Sequence, residues 1–365
     1  LDAQLGQVLA PLFDRSRLMT LLLNYRPVLQ QPTGIGVYAN GVLPALRELS
    51  PVFIPGGEVG SAGQRLRRLA WSQLSLPRVA RRHRASLIFT PAPEGYLGNQ
   101  TIPQVVMVHD LRPISHPDRS LQSVYFRAWV PPLLRQCHTI LTNSAFTAAE
   151  IQRCSGVSSE RIEVIPLGVD AERFRPASSG DLPSQGRPYL LHVGQAYPHK
   201  NLGRLIDAFA AVARLQPALL LVLAGKPHAS ETPRLKALVR ERGLQDRVLF
   251  RAYVPSTELP DLIRGALAFV YPSLWEGFGL PVLEAMAAGT PVLTSLGSGT
   301  EEVAGEAALL VDPWDQAALT AALSNLVREP QLRQELRRRG LERVRRYSWQ
   351  RTAEDTKAAL GEILS

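Results

Sequence analysis

The sequence predicts an α/β protein of two domains, each built on a parallel sheet with helices on both faces. Three observations predict it. At 365 residues the chain exceeds one ordinary hydrophobic core, so domains of about 150–200 residues are expected. Short continuous apolar runs alternate with helical stretches in both halves, the pattern of strands buried on two faces. A stretch with Pro, Gly and Ser, 176–188, parts the halves and reads as a linker. The 45% hydrophobic and 20% charged content belongs to a globular chain, not a disordered one.

Taken in order, residues before 18 give no clear signal and form a lead-in. The run 18–24 (LMTLLLN) predicts the first buried strand, and helical sequence extends to Glu48. Between them, Thr33, Gly34, Ile35 and Gly36 predict a turn where a phosphate or substrate can approach the backbone closely. The pattern falls short of the full dinucleotide fingerprint, and a plain tight connection explains it equally well. A second strand is expected at 51–55, followed by a loop with Gly56, Gly57, Gly60 and Gly63. In 65–84, Leu66, Leu69, Leu74, Leu76 and Trp71 are spaced among arginines, and Pro77 divides the stretch into two helices. Such a basic amphipathic pattern suits an anionic leaflet, or else packs on the core with a wet basic face.

Strands follow at 86–90 and 103–109, placing His109 and Asp110 at a strand C-terminal end, the edge where ligands gather in open α/β sheets. His116 and Asp118 read as loop residues. One helical stretch, 120–136, leads to a strand at 139–142; Ser144 is a candidate cap for a helix over 145–153, and 162–165 is the next strand. The second half restarts with strands at 189–193, 219–223, 248–252, 267–271, 291–294 and 308–311. Helices are expected at 201–215 and 232–242, and largely helical sequence runs on from Asp315.

Two stretches carry the chemistry. In 194–201 (GQAYPHKN), Gly194 and Gln195 lead to Lys200 and to Asn201, a candidate helix cap. A cation beside free helix N–H groups makes a diphosphate site. In 271–294 (YPSLWEGFGLPVLEAMAAGTPVLT), a loop with Glu276, Gly277, Phe278 and Gly279 joins two buried strands through a short helix. Pro281 suits its first position, and Glu284 in its first turn leans back toward the loop. Between the two carboxylates lie backbone N–H groups at a helix N-terminus. Phosphate on those N–H groups and hydroxyls on the carboxylates describe a nucleotide sugar. A lone first-turn Glu also complements the helix dipole with no ligand at all; the joint pattern is more specific.

That segment, EGFGLPVLEAMAAGTPV, resembles the E-x7-E signature of the family 4 (group 1) retaining glycosyltransferases. HDLRPISHPD, at 109–118, resembles the family's HDL segment, and IEVIPLGVDAERFRP, at 162–176, the segment closing its first domain. The resemblance spans roughly 18–349 and is most specific in the second half. It implies the GT-B fold, with two Rossmann-like domains facing each other across a cleft. The acceptor-side domain would be 1–175, the donor domain 189–348, and a last helix, 349–365, would cross back to the first domain. The resemblance also implies roles. Lys200 would hold the donor diphosphate, Glu276 the sugar hydroxyls and Glu284 the ribose, with N–H groups of Phe278, Gly279 and Leu280 nearby. His109 would lie by the sugar, and the base near Arg251, with Tyr253 and Val254 beside it. Where many members carry a second cation, this chain has Gln195. The implied reaction is same-face sugar transfer assisted by the leaving phosphate, and the PHKN wording resembles mannosyl-transferring members. The acceptor would be a glycan or a lipid-linked sugar.

No cofactor and no metal are expected: Asp312 and Asp315 are one residue too far apart for an Asp-x-Asp clamp. The formal net charge of +9 points to an anionic partner, whether nucleotide, membrane surface or nucleic acid. With this resemblance, nucleic acid is not expected. Cys137 and Cys154 form no disulfide framework and have no metal-ligand spacing, which fits a reducing cytoplasm. No apolar run nears the roughly 20 residues of a membrane span, and no signal peptide is evident. The chain begins at Leu1, so a processed or incomplete N-terminus is expected. A cytoplasmic protein in peripheral contact with the membrane through 64–84 follows. Two alternatives stay open: a nucleotide-sugar epimerase on the same fold, and a non-catalytic basic module binding membrane or nucleic acid. A phosphorylase is disfavoured, because no pyridoxal-binding lysine context is visible.

Overall fold

The computed structural model describes residues 19–28, 34–56, 62–98, 101–117, 121–176 and 186–365. The lead-in, Thr33 of the glycine turn, Gly57 and Gly60, Asp118 and most of the linker lie outside them; of Leu66 only the backbone is described.

Among the described residues, twelve strands form two parallel six-stranded sheets. The first contains β1 (Leu21–Asn24), β2 (Val52–Ile54), β3 (Leu87–Thr90), β4 (Gln104–Val108), β5 (Thr139–Thr142) and β6 (Ile162–Val164), in the order β2-β1-β3-β4-β5-β6. The second contains β7 (Tyr189–Val193), β8 (Leu220–Ala224), β9 (Val248–Arg251), β10 (Ala268–Tyr271), β11 (Val292–Ser295) and β12 (Leu309–Val311), in the order β12-β11-β10-β7-β8-β9. Strand order reverses between β1 and β3 in one sheet and between β7 and β10 in the other. Those reversals open crevices at the strand C-terminal ends. The central strands β1, β3, β4, β10 and β11 are buried along their whole length, which is why each reads as an unbroken apolar run.

The last helix, Trp349–Leu364, returns to pack on the first helix, Gly34–Arg47. Ser348 caps it by accepting from Arg351 N–H, and Thr352 Oγ1 donates to Pro166 O at 2.8 Å. Tyr38 and Thr356 share a buried 3.3 Å hydroxyl contact, and Lys357 pairs with Glu48 at 2.6 Å. Gly41 lies flat against the Trp349 ring, where any Cβ would overlap it. No helix among the described residues is long and apolar enough to cross a membrane.

Four expectations need correction. Gly34 and Gly36 do not form a turn: they open the first helix, whose buried face is Gly36, Tyr38, Ala39, Val42 and Leu46, so core packing overrides the glycine signal. The stretch 120–136 is two helices, Leu121–Ala128 and Val130–Gln136, because Pro131 and Pro132 cannot continue a helical ladder. Asn201 precedes the helix Leu202–Val212 but makes no capping bond; its Nδ2 donates to Pro313 O at 2.8 Å, and φ is 60°. Finally, the helix Leu280–Ala287 starts one residue early, so Pro281 is its second residue and Glu284 its fifth.

Gly41→Val should drive the Trp349 ring off the first helix and destabilise the protein by about 1–3 kcal/mol, the usual penalty of overpacking. Gly361→Ala, on the same last helix, meets open space and should stabilise by about 0.5–1 kcal/mol. Urea unfolding of both variants measures the contrast.

Candidate active site

The second sheet's reversal brings the loops after β7 and β10 together. Lys200 closes the short 3-10 turn Pro198–Lys200, and His199 O accepts from Leu274 N–H at 2.7 Å, tying that turn to the β10 loop. The Lys200 ammonium then reaches both Glu276 Oε1, at 2.5 Å, and the Tyr271 hydroxyl, at 2.7 Å. Both charged side chains are nearly buried, 11% and 14% exposed, so neither charge is bathed in water. Burial opposes the Lys200 charge, but Glu276 and Tyr271 outweigh it and hold the ammonium above the ordinary lysine range.

Behind this pair, His192 stacks on Tyr271 with ring planes 12° apart. Its Nδ1–H donates to Val270 O at 3.0 Å, and burial lowers its pKa to about 4. The ring is therefore neutral at neutral pH, and Nε2 keeps a lone pair. Gly194 and Gly225 bring the ends of β7 and β8 so close that a Cβ on Gly225 would overlap the Gly194 carbonyl.

The loop that holds Glu276 touches the first domain. Gly277 O accepts from Ser144 Oγ at 2.5 Å and Thr147 Oγ1 at 3.1 Å, and a Cβ on Gly277 would overlap His109 O. Ser144 also caps the helix Ala145–Ser155 as expected. Nearby, Glu302 Oε2 accepts from Ala145 N–H at 2.8 Å and Phe146 N–H at 3.3 Å, a carboxylate of the second domain on a helix N-terminus of the first. Trp275 sits between the rings of His116 and Phe146.

His109 lies just beyond β4, edge-on to Tyr38. A carbonyl only accepts, so the 3.2 Å contact with Pro91 O puts the proton on Nε2 and leaves Nδ1 bare. Burial pushes the ring down to about 4, so it is neutral near pH 7. Asp110 beside it is raised by burial, with Arg112 opposing.

Phe278 turns its ring into the core against Tyr347, and only its backbone faces the loop. The N–H groups of Phe278, Gly279 and Leu280 donate to no group among the described residues. Gly279, at φ 111°, makes the bend that exposes them, a backbone shape few other residues adopt. Glu284 lies one turn along that helix. Burial raises its carboxyl from 4.5 to about 7, with Arg173 opposing. Arg173 also donates from its guanidinium to Ser256 O. Close to that segment, Tyr253 exposes its ring with Lys226 Nζ 5.6 Å above it, whereas Val254 is half-buried. Asp312 and Asp315 are engaged locally, accepting from Trp314 and Ala318 N–H.

The structure thus gathers Gly194, Gln195, Lys200, Glu276, Gly277, Phe278, Gly279 and Leu280 at one rim, with His109 across from them. Glu284, Tyr253 and Val254 lie further along, and Gly34 and Gly36 belong to the helix Gly34–Arg47. Sequence reasoning missed Tyr271, Arg173, Lys226 and Glu302, which act through partners far away in the chain. Tyr271 alone had a local signal, a polar-tipped residue closing an apolar strand. Along the rim, His192 Nε2, Ser273 Oγ, Trp275 Nε1 and Ser295 Oγ are buried without a hydrogen-bond partner among the described residues.

Two Rossmann-like parallel-sheet domains, with a cation and free N–H groups at the second sheet's switch point, define the class of two-domain α/β proteins. Comparison with known proteins narrows it. The family model for Glycosyltransferase Family 4 matches residues 35–173, and that for Glycosyl transferases group 1 matches 175–343. The O-antigen chain mannosyltransferase B of Escherichia coli is 31% identical over 278 residues, 72% of this chain and 71% of that protein. The O-antigen chain mannosyltransferase RfbU of Salmonella typhimurium is 34% identical over 236 residues, 64% of each chain. This chain therefore spans less than two thirds of the latter's length. In three dimensions, sucrose-phosphate synthase of Thermosynechococcus elongatus superposes with a TM-score of 0.76 at 21% identity, over 94% of this chain and 98% of that one. The chain belongs to the group 1, family 4 glycosyltransferases, and its fold is GT-B.

Because the Glu284 carboxyl is raised on folding, its contribution to stability is present below pH 4.5 and is lost as pH rises through about 7. Glu284→Gln should match the wild type in melting temperature at pH 4 and exceed it at pH 8. Thermal scans across that range check the sign.

Proposed function

We propose that the protein is a retaining hexosyltransferase. It moves a sugar from a nucleotide diphosphate donor to a hydroxyl acceptor in the synthesis of a surface polysaccharide or glycolipid. GDP-mannose is the favoured donor, because the curated relatives named above are mannosyltransferases. The observation that carries the proposal is the Lys200–Glu276 pair beside three unengaged backbone N–H groups, at the mouth of the β7/β10 reversal.

In this reading the donor's diphosphate replaces the Glu276 carboxylate on the Lys200 ammonium, with further oxygens on the N–H groups of Phe278, Gly279 and Leu280. Glu276, released, accepts hydroxyls of the sugar. Glu284 accepts the ribose hydroxyls, and the base lies against Tyr253. The acceptor hydroxyl attacks the anomeric carbon from the face the phosphate is leaving. As the new C–O bond forms, the bond to phosphate breaks, and the departing phosphate oxygen takes the acceptor's proton. The growing negative charge falls on Lys200 and the helix N-terminus, without a metal ion. His109, neutral and with Nδ1 bare, faces the sugar as a hydrogen-bond acceptor.

Peripheral membrane contact through the helices Ala62–Leu74 and Leu76–Arg82 is part of the proposal. Arg67, Arg78, Arg81, Arg82 and Arg84 are exposed there, as is Leu74. Flotation with anionic vesicles and not with neutral ones is the expected result.

Lys200→Ala should weaken nucleoside diphosphate binding about 10- to 100-fold, the worth of one charge-assisted hydrogen bond left unmade, and Glu284→Ala should weaken it less. His109→Ala should lower turnover more than donor affinity. Calorimetry with GDP and UDP, beside initial rates from a donor panel read by mass spectrometry, tests all three. No turnover of any common donor by the intact protein would defeat the proposal.

A further inference from the structure

Tyr271 closes β10 with its side chain 2% exposed, and a buried tyrosine hydroxyl needs a partner. Elsewhere in this chain such hydroxyls donate to backbone carbonyls. Tyr25 donates to Ala39 O at 3.0 Å, Tyr125 to Pro93 O at 3.1 Å and Tyr189 to Leu262 O at 2.7 Å. Those bonds fasten the fold. The Tyr271 hydroxyl instead accepts from the Lys200 ammonium at 2.7 Å. An oxygen that accepts from an ammonium turns its own proton elsewhere, and the acceptor beside it is the Glu276 carboxylate.

The hydroxyl does not depend on Lys200 to keep its place. The His192 ring stacks on the Tyr271 ring at 5.2 Å, and Phe269 lies nearly parallel to it at 5.8 Å. His192 is itself fixed through Val270 O. Around Gly194 the same groups converge: a Cβ there would lie 3.3 Å from His192 Nε2, 3.8 Å from Lys200 Cε and 3.9 Å from Tyr271 Cε2. Burial, with the Glu276 charge beside it, pushes the phenol pKa upward, so the group keeps its proton and acts as a neutral donor.

Two donors therefore converge on Glu276, the ammonium and the phenol. An anion that takes the carboxylate's place inherits both. Among the described residues Lys200 is the only cation paired with Glu276, so a phosphate carrying more than one charge calls on a further donor. A rigid O–H in a site shielded from water supplies it at no cost in reorganisation.

We propose that Tyr271 is a second donor to the leaving phosphate: its hydroxyl turns from Glu276 to an oxygen of the nucleoside diphosphate's terminal phosphate and holds it as the sugar departs. The inference rests on the glycosyl-transfer reading and adds a catalytic residue to it. When the bond between sugar and phosphate breaks, its electron pair stays on the phosphate oxygen, which takes the acceptor's proton. Tyr271 shares its own proton and does not give it up.

Tyr271→Phe tests this, because it removes one oxygen and keeps the stacked ring. Calorimetry uses whichever of GDP or UDP binds the wild type, beside the matching monophosphate, which lacks the terminal phosphate. Diphosphate affinity should fall about tenfold and monophosphate affinity stay within about twofold. In initial rates, kcat should fall by a larger factor than KM rises. Added to Lys200→Ala, Tyr271→Phe should cost about a further fivefold or more in diphosphate affinity, whereas a residue acting only through the ammonium would cost nothing there. A diphosphate affinity and kcat that do not change would overturn the proposal. So would an equal loss for the monophosphate, or a double variant no weaker than Lys200→Ala. Should Tyr271→Phe not fold, crystals of the wild type with the diphosphate decide: Tyr271 Oη is expected within about 3.2 Å of a terminal-phosphate oxygen, and a hydroxyl still turned to Glu276 overturns it. If the wild type binds neither nucleotide, the donor reading falls first and takes this one with it.

Discussion

A lysine ammonium kept charged away from water is the constraint on which the second domain's rim depends. An isolated cation at the Lys200 position would lose its hydration with nothing in return. The Glu276 carboxylate and the Tyr271 hydroxyl offset that loss and fix the ammonium at the β7/β10 reversal. Such a pair is weak evidence of stability, since similar volumes of hydrocarbon often serve a fold as well. In the function proposed above, one anion replaces another: a phosphate taking the carboxylate's place would never leave the ammonium bare, and the displaced Glu276 would already lie beside it.

The same loop couples the site to the arrangement of the domains. Gly277 is pinned by two hydroxyls from the first domain and rests on the His109 backbone, so Glu276 holds its place only while the domains meet. Glu302 strengthens that meeting by putting a carboxylate on a helix N-terminus, where the unsatisfied N–H groups and the dipole favour it. Trp275, clasped by His116 and Phe146, adds aromatic contact at the same seam. The last helix, running back over Gly41, ties the far side. Residues with no contact to a donor therefore decide how the donor's binding groups are presented.

Much of the architecture was legible because buried parallel strands leave runs such as LLLN and AFVY that admit little else. The boundaries moved by one to three residues, where capping and tertiary contacts outweigh propensity. The helical sequence over 120–136 divides into two helices at a proline pair. Gly34 and Gly36 differ for another reason: glycines that signal a turn locally are the first turn of a helix here, Gly36 on its buried face and Gly34 in open space. Asn201 keeps the chemistry of a cap and uses its amide on Pro313 instead.

The residues themselves determined the class of the protein, since Lys200 and Glu276 each stand in a loop that a strand-loop-helix unit carries to the edge of the second sheet, with Glu284 one turn into the helix after Glu276. They could not determine who pairs with whom. The ammonium's partner is 76 positions away, and the carboxylate on the N-terminus of the helix Ala145–Ser155 comes from 157 positions away. Asn24 and Thr90 meet across 66. Local sequence records which groups are polar and how a short segment bends; only the folded sheets, by setting strand order, decide which of those groups are buried together and which are left seeking a ligand.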